Sequence, residues 1–160
     1  MKMIKALMMV IALSIPFAAF AMEGEQQVDY TEALRDGNVK KVKKYIDSGV
    51  DVNEKFFAWS ALQISANKNQ LGVVKYLVEH GADVNYTHPL TKMSAIQMAA
   101  YDGYTEIVKY LASKGADLNL KLKGDVSIVR VVRDTGNTKM VDLLLSLGAK
   151  DDGCKEEKCF

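Results

Sequence analysis

The sequence predicts an all-α solenoid of about four helix–turn–helix units with short protruding loops. A Gly-x-Asp-x-Asn motif begins at Gly49, Gly81 and Gly115, and a shortened copy begins at Gly148. Successive copies are 32, 34 and 33 residues apart. A constant period of this length is typical of stacked-repeat architectures. An amphipathic segment precedes each glycine, so each unit is expected to end on a helix.

These amphipathic segments form the second helix of each unit. In the third copy Ile107, Val108 and Leu111 recur at helical spacing and are expected to face the core. Asn38 and Asn137 precede two of the segments, where a side-chain oxygen can cap the first turn. The glycine after each segment supplies the left-handed backbone that ends a helix. The four segments are VKKVKKYIDS, LGVVKYLVEH, TEIVKYLASK and TKMVDLLLSL.

Capping boxes predict the first helix of the two central units. They are Ser60-Ala-Leu-Gln63 and Ser94-Ala-Ile-Gln97, in which serine and glutamine satisfy each other's backbone amides. Segments of about six to eight residues separate each motif from the next opening serine, at 54–59, 86–93 and 120–126. They are expected to form the protruding loops.

This arrangement resembles the ankyrin repeat, most closely in SAIQMAAYDGYTEIVKYLASKGADLN, residues 94–119. The resemblance implies an ankyrin domain over 22–153. The family's Thr-Pro-Leu-His opening is replaced here, so Gln63 and Gln97 are expected to form the hydrogen bonds of its histidine. Arg130 stands at the same position in the last unit, which is expected to be atypical. The units are predicted near residues 26–53, 54–85, 86–119 and 120–150.

The first 21 residues have the three parts of a secretory signal. Lys2 and Lys5 are followed by an apolar run and then by Ala19-Phe20-Ala21, a small-x-small cleavage site. A retained membrane anchor is the alternative, but the run is short for a span of ~20 residues. We expect cleavage after Ala21 and an ankyrin protein of the exported bacterial type, either periplasmic or secreted.

Two cysteines lie close together in the tail, residues 154–160. Cys154 and Cys159 can form a local disulfide in an oxidising compartment. A metal site is the alternative, although two thiols supply only half of a tetrahedral ligand set. No cofactor is predicted.

Charge and motif content indicate a binding protein that is not an enzyme. With 21 basic and 20 acidic residues the net charge is +1, which disfavours nucleic-acid binding. The sequence contains no nucleophile elbow, phosphate loop or paired-histidine metal helix. Asp51, Asp83 and Asp117 recur in register and are expected to bond turn amides. After signal cleavage the chain is expected to be a monomer without membrane contact.

The resemblance implies that a partner protein docks on the concave face, meaning the loop tips and the exposed side of each first helix. Phe56 and Phe57 either bind the partner or cover the first unit, and Trp59 either binds or packs on the following helix. His88 is expected to be a solvated loop residue. Narrower alternatives are an immunity or inhibitor protein for a secreted toxin, or a protective factor for a periplasmic enzyme such as a catalase. The predicted contact residues are Phe56, Phe57, Trp59, Asn67, Lys68, Leu90, Met93, Tyr101, Asp102 and Asp134.

Overall fold

The computed structural model describes residues 24–152, which form eight helices in four pairs. The predicted all-α solenoid is confirmed. One short hairpin, formed by β1 (Lys55–Phe56) and β2 (Trp59–Ser60), is the strand structure within these residues. The predicted signal peptide, residues 1–21, and both tail cysteines lie outside the described residues. The helices are α1 (Gly24–Asp36), α2 (Val39–Asp47), α3 (Ala61–Asn67), α4 (Leu71–Glu79), α5 (Ala95–Tyr101), α6 (Thr105–Ser113), α7 (Ile128–Asp134) and α8 (Thr138–Ser146).

The pairs stack in chain order. The first helices form one layer, in which α3 contacts both α1 and α5, and α5 contacts α7. The second helices α2, α4 and α6 form the other layer. Leu62 of α3, Ile96 of α5 and Ile128 of α7 are fully buried, and each contributes roughly 1.5–3 kcal/mol through burial. One continuous core therefore runs through all four pairs.

The helix ends follow the sequence signals. Asn38 Oδ1 accepts from Lys41 N at 3.1 Å, and Asn137 Oδ1 accepts from Met140 N at 3.1 Å. Gly115 follows α6 with φ +84°, a conformation that costs glycine little. The predicted caps and helix stops are confirmed at these positions. Between residues 24 and 152, no helix is both long and apolar enough to cross a bilayer.

The Gly-x-Asp-x-Asn turns connect one unit to the next. Asp83 Oδ1 accepts from Asn85 N at 2.9 Å, as the structural interpretation of these aspartates predicts. Asn85 Oδ1 in turn accepts from Asp117 N of the following unit at 2.8 Å. Asn53 and Asn119 make the same contact with the units that follow them. The repeated asparagine thus fixes the spacing between pairs.

Candidate functional site

The hairpin carries the first loop tip. Phe56 pairs with Trp59, and the turn between them consists of Phe57 (φ +50°) and Ala58 (φ +68°). A two-residue turn with positive φ at both positions normally uses Asn and Gly. Phe57 is strained in this conformation and its side chain is 95% exposed. Strain kept at an exposed aromatic residue is an indication of function.

Phe56 belongs to the core. Its side chain is buried, and its ring lies edge-on against Tyr30 with the centroids 5.5 Å apart. Successive side chains of a strand point to opposite sides, so Phe56 covers the first unit while Phe57 faces solvent. The prediction of Phe56 as a partner contact is therefore wrong, because no face of the ring is left for another protein.

Trp59 connects the first two loop tips. Its half-buried indole stacks on His88 with ring centroids 4.0 Å apart. His88 is buried, so the expectation of a solvated histidine is wrong. Its Nδ1 accepts from the backbone amides of Leu90 at 3.3 Å and Thr91 at 3.4 Å. The stack and these hydrogen bonds fix the second loop beside the hairpin.

Gln63 and Gln97 hold the loops against the first helices. Ser60 Oγ accepts from Gln63 N at 3.2 Å, and Ser60 N donates to Gln63 Oε1 at 3.1 Å. The free amide of Gln63 donates to Met93 O of the next loop at 2.8 Å. Gln97 Nε2 donates to Leu120 O at 2.5 Å. Both glutamines thus bridge a helix start and the following loop, as expected.

The last unit is closed differently. Ser127 Oγ accepts from Arg130 N at 3.2 Å and donates to Asp152 Oδ2 at 2.8 Å. Arg133 pairs with Asp151 at 2.5 Å, and this hydrogen-bonded carboxylate raises the pKa of the guanidinium. Two carboxylates that follow the last motif therefore stabilise this end, which is atypical as expected.

A groove of about 340 Å³ follows α3. Trp59 lies before the first turn, Ile64 lies in the middle of the helix and Lys68 is its C-cap. The neighbouring first helices α1 and α5 contribute one side chain each. Two cationic side chains and no carboxylate line the groove. Its lining residues are Arg35, Trp59, Ile64, Asn67, Lys68 and Met98.

The remaining predicted contact residues lie on loop tips or at the ends of first helices. Leu90 is 76% exposed in the second loop, and Tyr101, the last residue of α5, is 50% exposed. Asp134 is exposed at the end of α7. Met93 is half-buried against the core, so only part of its side chain can meet a partner.

The ends of the first helices carry charges of both signs. Arg35 and Asp36 end α1, Lys68 follows α3, Asp102 follows α5, and Arg133 and Asp134 end α7. Asn67 Nδ2 donates to Asp102 Oδ2 at 3.0 Å, so a carboxylate borders the groove. The two cations that line the groove itself are Arg35 and Lys68.

Sequence reasoning misses three residues of the groove. Arg35, Ile64 and Met98 are absent from the predicted set, and the repeat period could have found one of them. Arg35 precedes the predicted Asn67 by 32 residues, the separation of the first two motifs. Ile64 and Met98 are 34 residues apart and occupy equivalent positions, but no predicted contact residue lies one period from either of them.

Ionisable clusters elsewhere stabilise the fold. Asp29 on α1 accepts from Lys41 Nζ, and from the Tyr45 hydroxyl at 2.6 Å. These hydrogen bonds lower the pKa of Asp29, and the carboxylate raises the pKa of Tyr45 to about 12. Across residues 24–152, no three His, Cys, Asp or Glu side chains are grouped to hold a metal ion.

A family model of three ankyrin repeats matches residues 31–121. The chain belongs to the ankyrin-repeat family. Ankyrin repeats generally mediate protein–protein interaction, and ankyrin domains are typically not enzymes. The exposed loop tips and first-helix faces described above are therefore the surface to consider for a partner.

Similar proteins share part of the repeat region. Ankyrin repeat domain-containing protein 40 is 37% identical over 68 residues in Mus musculus, covering 41% of this chain and 19% of that protein. The Homo sapiens protein of the same name is 37% identical over 67 residues, covering 41% and 18%. Ankyrin repeat, SAM and basic leucine zipper domain-containing protein 1 of Ovis aries is 30% identical over 63 residues, covering 39% and 13%. The matches span less than a fifth of each relative.

Proposed function

We propose that the chain is an exported, non-enzymatic module that binds one partner protein with its loop tips and first-helix faces. The distribution of exposed apolar side chains carries this proposal. Among the described residues four large apolar side chains are at least half exposed: Phe57, Leu90 and Tyr101 lie on loop tips or at a first-helix end, and Val28 lies on the first helix α1. Of the second helices in the structure as described, α8 exposes Leu145, whereas α2, α4 and α6 expose no large apolar side chain. Exposed aromatic and apolar anchors mark binding hot spots.

Export is supported by the sequence of residues 1–21. A basic start, an apolar run and Ala19-Phe20-Ala21 favour signal cleavage and a periplasmic or secreted protein. Expression of the whole chain in a bacterium tests this directly. The protein should appear in the periplasmic fraction with its N-terminus at Met22, measured by mass spectrometry. Recovery of the uncleaved chain in the cytoplasm or membrane would contradict export.

Capture of a partner tests the binding function. Purified 22–160 is immobilised and exposed to periplasmic extract of the producing organism, and bound proteins are identified by mass spectrometry. A Phe57→Ser/Tyr101→Ser variant should lose the captured protein. Leu147→Ser is the matched control, because Leu147 is an exposed apolar residue after α8, away from the loop tips. Equal capture by wild type and the double variant would contradict the proposed surface.

The captured protein also separates the narrower hypotheses. A toxin enzyme inhibited by the chain would identify an immunity or inhibitor protein. A catalase or another periplasmic enzyme stabilised against oxidants would identify a protective factor. Failure to enrich any protein would contradict both hypotheses and the binding function itself.

A further inference from the structure

The groove along α3 combines an apolar floor with a cationic rim. Trp59, Ile64 and Met98 supply the apolar surface, while Arg35 and Lys68 stand at the edge. Its volume of about 340 Å³ lies at the lower end for ligand sites, so it has room for one or two side chains. Met98 can adapt its shape to different apolar groups because its side chain is unbranched and flexible.

Both rim cations are available to a partner. Arg35 and Lys68 are exposed, and neither side chain forms an ion pair or hydrogen bond with residues 24–152. Two carboxylates stand next to the rim: Asp102, which is held by Asn67 at 3.0 Å, and the exposed Asp36, which follows Arg35 as the last residue of α1. A guanidinium can bind a carboxylate through two parallel hydrogen bonds, and an ammonium can add a point charge.

We propose that the groove binds a partner segment in which a bulky apolar side chain neighbours Asp or Glu. This inference rests on the proposed function and specifies the chemistry of the partner. The apolar side chain lies between Trp59 and Met98, and the carboxylate faces Arg35 or Lys68. A basic segment would meet like charge at the rim, and a segment without a bulky apolar side chain would leave the floor uncovered.

The chain provides its own reporter for this site. Trp59 is the single tryptophan of the sequence, so its fluorescence follows occupation of the groove. Peptides are selected against mature 22–160 from a random display library, and selected sequences lacking tryptophan are synthesised and titrated. We expect enrichment of Leu, Phe or Tyr beside Asp or Glu, and a saturable change in Trp59 emission.

Charge reversal tests the role of the rim. The exposed positions allow Arg35→Glu/Lys68→Glu without loss of the fold, which circular dichroism verifies. Loss of two exposed ion pairs should weaken peptide binding about 2- to 30-fold, and selection against the variant should favour Lys and Arg. Lys43→Glu/Lys139→Glu is the matched control, with the same change in net charge on the second helices, and should bind as wild type.

Three results would overturn the inference. They are selection without acidic enrichment, saturation without a change in Trp59 emission, and unchanged affinity of the Arg35→Glu/Lys68→Glu variant. If a protein partner is still captured in such a case, the binding function stands and only the peptide chemistry is wrong. A concentration-dependent dimer by sedimentation that blocks the peptides would show a second copy in the groove and would also overturn it.

Discussion

The turn at Phe57 and Ala58 predicts opposite effects on stability and binding. Both residues have left-handed backbone, which costs an L-residue about 1–2 kcal/mol. Phe57 is 95% exposed, so its ring returns almost no packing energy. Replacing the pair by Asn-Gly, the residues that this turn type prefers, should therefore stabilise the fold.

The expected gain follows from these terms. Phe57→Asn/Ala58→Gly relieves strain at two positions, while the new glycine loses about 0.5–1 kcal/mol through chain entropy. With about 1 kcal/mol of strain at each position and about 1 kcal/mol lost by the glycine, the net gain is about 1 kcal/mol. With a urea slope of about 1–3 kcal/mol/M the unfolding midpoint should rise by about 0.3–1 M. Trp59 fluorescence and circular dichroism both report this transition.

Binding by the same variant should change in the other direction. If Phe57 is a contact residue, its loss should weaken partner capture about tenfold or more, in the range of interface hot spots. Phe57→Tyr retains most of the aromatic surface and serves as the control. A lower urea midpoint would refute the strain argument, and undiminished capture would refute the contact.

Three other predictions concern the buried contacts and the first unit. Gln97→Leu leaves Ser94 N and Leu120 O without partners and should lower the free energy of unfolding, measured in urea, by about 2–4 kcal/mol. Gln97→His should retain most of the wild-type free energy of unfolding. Equal losses of stability in the two variants would contradict the bridging role. Phe56→Ala should lower the free energy of unfolding by about 3–5 kcal/mol, with a matching loss of thermal stability. A neutral effect would contradict the placement of Phe56 in the core. The pKa of Asp29 is lowered in the folded state, so its carboxylate contributes to the stability of the fold above the unfolded pKa of about 3.9, and this contribution is lost as the pH falls below that value. Thermal melts from pH 5 to pH 2.5 should therefore show a smaller decrease in melting temperature for Asp29→Asn than for wild type.

The repeat and its helix boundaries could be predicted because they depend on local signals. The recurring Gly-x-Asp-x-Asn turns, the Ser60–Gln63 capping box and the caps at Asn38 and Asn137 each involve residues within one turn of one another. The position at which a helix begins or ends depends mainly on residues this close in sequence. Stacking followed from the constant period, since each unit must bury its apolar face against the next.

The inward and outward positions of the loop residues could not be predicted in the same way. Alternation placed Phe56 and Phe57 on opposite sides, but only the pairing of Phe56 with Trp59 decides which one is buried. His88 is covered by the indole ring of Trp59, which lies 29 positions earlier in the chain. Asp152 reaches Ser127 from 25 positions away. Such contacts depend on how neighbouring units meet, which no local pattern encodes.

Mapping the partner on the chain tests the central proposal most directly. Amide hydrogen exchange is measured for mature 22–160 alone and in complex with the captured protein. Binding through loop tips and first helices predicts slower exchange in residues 55–68 and 86–102, with α2, α4 and α6 unchanged. Protection confined to those second helices, with the loops exchanging as in the free chain, would contradict the proposal.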